Sequence, residues 1–140
     1  MKRLIPPDDC PEEIARRLDV IQQHRALNAI LGVNPDAMSQ AEQHQQQRRR
    51  GEPIGPLHGV PLIVKDNIAC APMPITLGCR ALASLNATAD ARVVQRLRRA
   101  GAIILARANM SEFAFDVRSR SSLGGDVANP LCPTLTAGGS

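Results

Sequence analysis

Of the 17 cationic side chains in the 140-residue sequence, 15 are arginines and two are lysines, Lys2 and Lys65. Lys65 directly follows the apolar run Val60-Pro61-Leu62-Ile63-Val64, which puts an amine at the carboxyl end of a candidate strand. Sites in α/β sheets gather outside the carboxyl ends of strands. A desolvated Lys can shed its proton and act as a base, which an Arg cannot do. The competing reading is a Lys that reaches from a strand end to solvent, or one that pairs with Asp66. A second feature is Thr136-Ala137-Gly138-Gly139-Ser140, whose glycines could turn backbone N–H groups toward an anion or carry a hydroxyl on a hinge. A phosphate-cradling loop is disfavoured because no Gly-Lys-Ser/Thr sequence accompanies it. His58, between Leu57 and Gly59, could be a base or a ligand, but a lone His in a Gly turn more often has a structural role.

The elements that must position these residues follow from apolar periodicity. Ile14, Leu18 and Ile21 recur at helical spacing, and Leu27, Ile30 and Leu31 continue the stripe, so one amphipathic helix is predicted over residues 11–31. Asp9 or Cys10 would cap it, Pro11 suits its first turn, and Glu12 and Glu13 favour the positive end of its dipole. Gly32 would close it, and Asn34-Pro35-Asp36 reads as the start of a second helix running to about Arg50. That helix has few apolar residues and many Gln, which predicts an outer position. Val60 to Val64 lacks polar alternation and reads as a strand buried on both faces. A third helix over about 89–100 would turn Val93, Val94 and Leu97 to the core and Arg92, Arg96 and Arg99 away from it. Gly101 would stop it, and Ala102-Ile103-Ile104-Leu105-Ala106 is a second buried-type strand. Strand, helix, strand predicts a parallel pair with a crossover, hence an α/β sheet with helices on both faces. Residues 117–140, rich in Gly, Ser and Thr, read as loop.

Composition removes several function classes. With 44% apolar and 21% charged residues the chain is of globular type. Two Phe, no Tyr and no Trp leave no stacking platform for single-stranded nucleic acid. The net charge of +4 is mild, and Arg48-Arg49-Arg50 fits a helix end facing solvent; a basic nucleic-acid contact there is the weaker alternative. Cys10, Cys70, Cys79 and Cys132 form no Cys-x-x-Cys pair and have no neighbouring His to complete a zinc set, so reduced thiols and no metal are expected. Neither a secretory signal nor a membrane span is apparent, and a cytoplasmic location is expected.

Taken together, Gly55-Pro56-Leu57-His58-Gly59-Val60-Pro61-Leu62-Ile63-Val64-Lys65-Asp66-Asn67-Ile68 resembles the catalytic-lysine segment of the amidase signature family. Met73-Pro74-Ile75-Thr76-Leu77-Gly78, Ala100-Gly101-Ala102-Ile103-Ile104-Leu105, Asn109-Met110-Ser111-Glu112-Phe113-Ala114, Asn129-Pro130 and Gly138-Gly139-Ser140 follow in the family's order. Leu27-Asn28-Ala29 and Asn34-Pro35-Asp36 fit upstream, so the resemblance covers essentially the whole chain. It implies the N-terminal part of an α/β/α sandwich with a mixed central sheet. Residues 1–52 would be helices leading into the domain, and 53–140 the start of the sheet core with the Lys segment and the Gly-Gly-Ser loop.

The resemblance also implies a Ser-cisSer-Lys hydrolase of linear carbon–nitrogen amide bonds, acting on a small amide or peptide amide without metal or organic cofactor. Lys65 matches the catalytic Lys, and Ser140 the bridging Ser that follows a cis peptide bond, here Gly139-Ser140. Such a bond costs ~3–4 kcal/mol before a residue other than proline and needs enforcement by packing. Ala114 is the candidate for the acyl pocket. In the family the nucleophilic Ser and the oxyanion loop come after the Gly-Gly-Ser block. The 140 residues are therefore expected to be inactive alone, or to complement a separately encoded remainder of the fold. Arg107-Ala108 departs from the usual Lys-Thr pair and Ala137 from a common Pro. The spacing after Asn67 leans toward stand-alone and peptide amidases rather than transamidating subunits that serve tRNA.

Overall fold

The computed structural model describes residues 9–138. Helix α1 spans Cys10–Gln23, and Asp9 caps it by accepting from the Glu12 N–H at 3.0 Å. Cys10 and Ile14 are buried, with Leu18 and Ile21 packed beside them. The helix does not continue to residue 31. It ends at His24, a 3₁₀ turn covers Arg25–Leu27, and Asn28 takes a left-handed conformation with φ 54°. Strand β1, Ile30–Val33, follows. Local periodicity could not anticipate this, because the competing interaction is a ladder between positions far apart in sequence: Ile30 pairs with Ala108 and Val33 with Ala106.

Asn34 links that strand to helix α2, Ala37–Arg49. It is buried, its Oδ1 accepts from the Asp36 N–H at 3.0 Å, and its Nδ2 donates to the Ile104 carbonyl at 2.8 Å. Asp36, at the cap position, makes no side-chain cap bond. Ala37 and Ala41 are buried, while the Gln-rich remainder of α2 is half-buried or exposed, as its composition predicts.

Strand β2 is Pro61–Lys65, helix α3 is Arg92–Arg99 and strand β3 is Ile103–Ala108. The sheet order is β1-β3-β2, with β3 antiparallel to β1 and parallel to β2, so the sheet is mixed. Central β3 is buried from Ile103 to Arg107. One face carries Ile103, Leu105 and Ala106 against α1 and α2, and the other carries Ile104 and Val64 with Val94 of α3. Each fully buried Ile contributes roughly 1.5–3 kcal/mol of transfer free energy.

Two expectations change here. Strand β2 is an edge of this sheet rather than buried on both faces, since Ile63 is 50% exposed and Val64 7%. Val93 is also 51% exposed. Neighbouring residues on a helix lie about 100° apart, and the short α3 turns Val94, not Val93, to the sheet. From Asn109 onward the described chain is loop, apart from a 3₁₀ turn at Glu112–Ala114 and a bridge between Ala128 and Thr136. No disulfide joins Cys10, Cys70, Cys79 and Cys132.

Candidate active site

Lys65 is the last residue of β2 and is half-buried. Strand alternation puts it on the face of Ile63, opposite Val64. A turn begins at once, with the Ile68 N–H donating to the Lys65 carbonyl at 3.0 Å. Asp66, in that turn, is 1% exposed and saturated with donors. Its Oδ2 accepts from the Thr76 N–H at 3.0 Å, the Gly78 N–H at 3.1 Å and the Thr76 hydroxyl, while its Oδ1 faces Arg107 Nη2 at 3.4 Å.

Arg107 reaches this position because β3 is irregular. The ladder with β2 shifts between Leu62 and Ile63, which pair with Ile104 and Ala106, and leaves Leu105 as an extra residue. Leu105 and Ala106 consequently pack on the same face, and Arg107 returns to the face of Ile104. An Arg inside an apolar run is the sequence signal that marks this pair. In the sequence Arg107 stands out only as a departure from a family pattern, with no partner assigned to it.

The turn anchored by Asp66 extends the network. Gly78 has φ +70°, and a Cβ there would lie 2.8 Å from the Met110 carbonyl oxygen, so only Gly allows this approach. The Phe113 N–H donates to the Leu77 carbonyl at 2.9 Å, and the Ser121 hydroxyl to the Gly78 carbonyl at 2.7 Å. The hydroxyl of buried Ser111 accepts from the Ser119 N–H at 3.0 Å, and the Ser119 hydroxyl donates to the Gly138 carbonyl. A continuous set of contacts thus joins the Lys65-Asp66 turn, the 76–78 turn, the Asn109-Met110-Ser111-Glu112 block and the first glycine of the Gly-Gly-Ser block. Ser140 and the Gly139-Ser140 bond lie outside the described residues. Ala114 is exposed, with φ 59°, and lines neither the cavity of about 440 Å³ nor the one of about 490 Å³ on either side of β1 residues Ile30 to Val33.

Glu112 is held below the usual carboxyl range, first by hydrogen bonding with Ser122 and then with Cys79; its Oε2 accepts from the Ser122 N–H at 3.1 Å. His58 is buried, and its Nε2 lies 2.9 Å from the His44 carbonyl, to which it must donate. The two imidazoles stack with centroids 4.5 Å apart. Gly101, at φ +92°, makes room for the His58 backbone, since a Cβ there would sit 2.8 Å from His58 Cα. These contacts give His58 a packing role between α2 and the turn that leads into β2. Among the described residues no three His, Cys, Asp or Glu side chains are grouped to hold a metal ion.

The family model described as Amidase matches residues 12–140. The chain belongs to the amidase family. Among curated amidase relatives, a glutamyl-tRNA(Gln) amidotransferase subunit of Salinibacter ruber is 41% identical over 115 residues, covering 81% of this chain and 22% of the relative. The like-named protein from Archaeoglobus fulgidus is 36% identical over 140 residues, covering 99% and 30%. The solved native peptide amidase from Stenotrophomonas maltophilia superposes with a TM-score of 0.80 at 34% identity, covering 93% of this chain and 28% of its own. This amidase chain therefore spans less than a third of the relatives it matches, and its three-stranded mixed sheet is an incomplete part of their fold.

Proposed function

We propose that these residues are the N-terminal portion of an amidase that hydrolyses linear amides, R–CO–NHR′ + H₂O → R–COOH + R′NH₂. In this reading residues 1–140 are one partial domain, and its sheet core takes in β1 at Ile30–Val33, ahead of residue 53, together with the strands that follow. The observation that supports it is the convergence of the Lys65-Asp66 turn, the 76–78 turn, the 109–112 block and Gly138 in one network, in a chain of this family. Lys65 is the base. It accepts a proton passed through the Ser140 hydroxyl from a nucleophilic Ser supplied by a further segment. That Ser attacks the amide carbon, the proton goes to the leaving nitrogen, and water then releases the acid from the acyl-enzyme. Ala114 is the proposed acyl-pocket residue. No step calls for a metal or an organic cofactor. The four free cysteines are compatible with a reducing compartment, the cytoplasm; no described helix is long and apolar enough to cross a membrane.

Ammonia release from simple amides is the test. The 140 residues alone are expected to stay at background, because nucleophile and oxyanion donors each contribute orders of magnitude in rate. A polypeptide that joins them to the nucleophile segment should turn over and lose roughly a thousandfold or more on Lys65→Ala. Turnover by the 140 residues alone that Lys65→Ala abolishes would overturn the division of the catalytic groups. Undiminished turnover by the joined Lys65→Ala polypeptide would overturn the role of Lys65.

A second reading, in which the chain complements a separately encoded remainder of the fold, is favoured by the outer edges of β1 and β2, which pair with no strand among the described residues. The curated relatives described above are themselves named as amidotransferase subunits. Identities of 34% to 41% do not separate such subunits from peptide amidases. Co-expression with a candidate remainder should yield a soluble complex under this reading.

A further inference from the structure

We propose that Ser119 is a positioning residue whose hydroxyl sets the place of the Gly-Gly-Ser block relative to the Lys65-Asp66 turn. The inference rests on the amide-hydrolysis reading, in which Ser140, two residues beyond Gly138, passes a proton to Lys65. Backbone strain points to the residue. Among the described residues a left-handed conformation outside Gly occurs at Asn28, Leu77, Phe113, Ala114 and Ser119. It is unfavourable for a residue with a Cβ, and such strain gathers where the surroundings over-determine a functional geometry. Four of those five lie in the contacts that join the Lys65-Asp66 turn to Gly138, and of the four only Ser119 carries a side-chain donor.

Ser119 is 7% exposed, and each of its polar groups has a partner. Its N–H donates to the Ser111 hydroxyl at 3.0 Å, its carbonyl accepts from the Val127 N–H at 3.1 Å, and its hydroxyl donates to the Gly138 carbonyl. The two backbone bonds fix the residue and leave the hydroxyl aimed at the glycine. Gly138 is held from its other side too. Its N–H donates at 3.1 Å to the Thr136 hydroxyl, which donates at 2.9 Å to the Arg118 carbonyl. If backbone conformation were the sole requirement at position 119, Gly would meet it without strain, as Gly78 does at φ +70°. The serine keeps the strain and adds the bond that ties the Gly-Gly-Ser block to Ser111. Ser111 in turn follows Met110, whose carbonyl abuts Gly78, and the Gly78 N–H is held by Asp66. A proton relay over hydrogen-bond distances depends on such anchoring, because a displacement of about 1 Å can cost roughly a hundredfold in rate.

Two variants separate the hydroxyl from the backbone. Ser119→Gly deletes the hydroxyl and suits the left-handed conformation, whereas Ser119→Ala deletes it and keeps the strain. In the ¹³C,¹⁵N-labelled 140-residue chain, both should move the Gly138 carbonyl carbon signal. Both should also lower the amide order parameters of Ala137 and Gly138 from the rigid range, roughly 0.85, to below about 0.6. In the polypeptide joined to the nucleophile segment, both should lower kcat by about ten- to a hundredfold with KM within about twofold. The urea midpoint of Ser119→Gly should stay near that of the parent, which a merely structural role would not allow alongside the kinetic loss. Four results would each overturn the proposal: an unmoved Gly138 carbonyl signal; a loss of order in Ser119→Ala alone; full kcat in Ser119→Gly; or a kcat loss that tracks a collapsed urea midpoint. A joined parent polypeptide without turnover would instead overturn the amide-hydrolysis reading, and the Gly138 spectra would still decide whether Ser119 holds the block.

Discussion

Asp66 and Arg107 are both 1% exposed, and their ion pair is long, at 3.4 Å between Oδ1 and Nη2. In such a pair the desolvation of both charges offsets much of the Coulomb attraction, so the pair itself adds little net stability. Removing one partner is another matter, because a buried charge is then left alone. Asp66→Ala should destabilise the chain by ~3–5 kcal/mol, and it also strands the donors of Thr76 and Gly78. Arg107→Met should cost less, since three donors remain on Asp66. The double variant should be clearly less destabilised than the sum of the two singles, with a coupling of about 0.5–3 kcal/mol in urea unfolding. Strict additivity would show that the two side chains do not act as a unit. Only half of this pair was legible in the sequence. Asp66 stands next to the Lys that drew attention, while Arg107 lies 41 positions away and meets it only through a one-residue shift in the ladder of β3.

At the scale of elements, α2, α3, β2 and β3 were legible because each carries its own signal within a few residues. Strand β1 was not, because Ile30 and Leu31 continue a helix stripe from Leu27 as well as they suit a strand. Only β3 decides between them, by pairing with Ile30 and Val33. The exposure of Ile63 and Val93 was hidden for a related reason. An apolar run does not say how many neighbours the fold supplies on each side. The contact between α2 and the turn before β2 rests on the His44–His58 stack and gives the chain a pH dependence. Burial, and then the charge of His58, push the His44 pKa below its ordinary value of 6.5. The unfolded chain therefore takes up the proton first as pH falls. Stability from this contact is complete above about pH 6.5 and is lost as pH drops toward the lowered folded value. Urea midpoints from pH 8 to pH 5 should fall across that window. His44→Phe, which keeps a stacked ring without a titrating nitrogen, should flatten the curve there; an unchanged slope would remove His44 as its source.

For the whole molecule, the sheet is the unit that is unfinished. Central β3 is paired on both sides, whereas β1 and β2 each have an outer edge that pairs with no strand among the described residues. Apolar side chains stand exposed around them: Ile63 on β2 at 50%, and Phe115 at 96%, Val117 at 74% and Leu131 at 94% in the loops. Open edges beside exposed apolar groups are templates for association. The 140-residue chain by itself should therefore self-associate, its mass by light scattering rising with concentration. Ile63→Lys should shift that rise to higher concentration, because a charge on an edge strand blocks strand addition while the exposed position tolerates it. Phe115→Glu or Leu131→Glu should have a smaller effect, since neither residue lies on a strand edge. If the larger effect came from the loop variants, apolar patches rather than β-edges would be driving the contact. A strictly monomeric chain that unfolds in one cooperative transition would show that the three strands and three α-helices of the described residues suffice. It would also remove the main physical support for a fragment awaiting its complement.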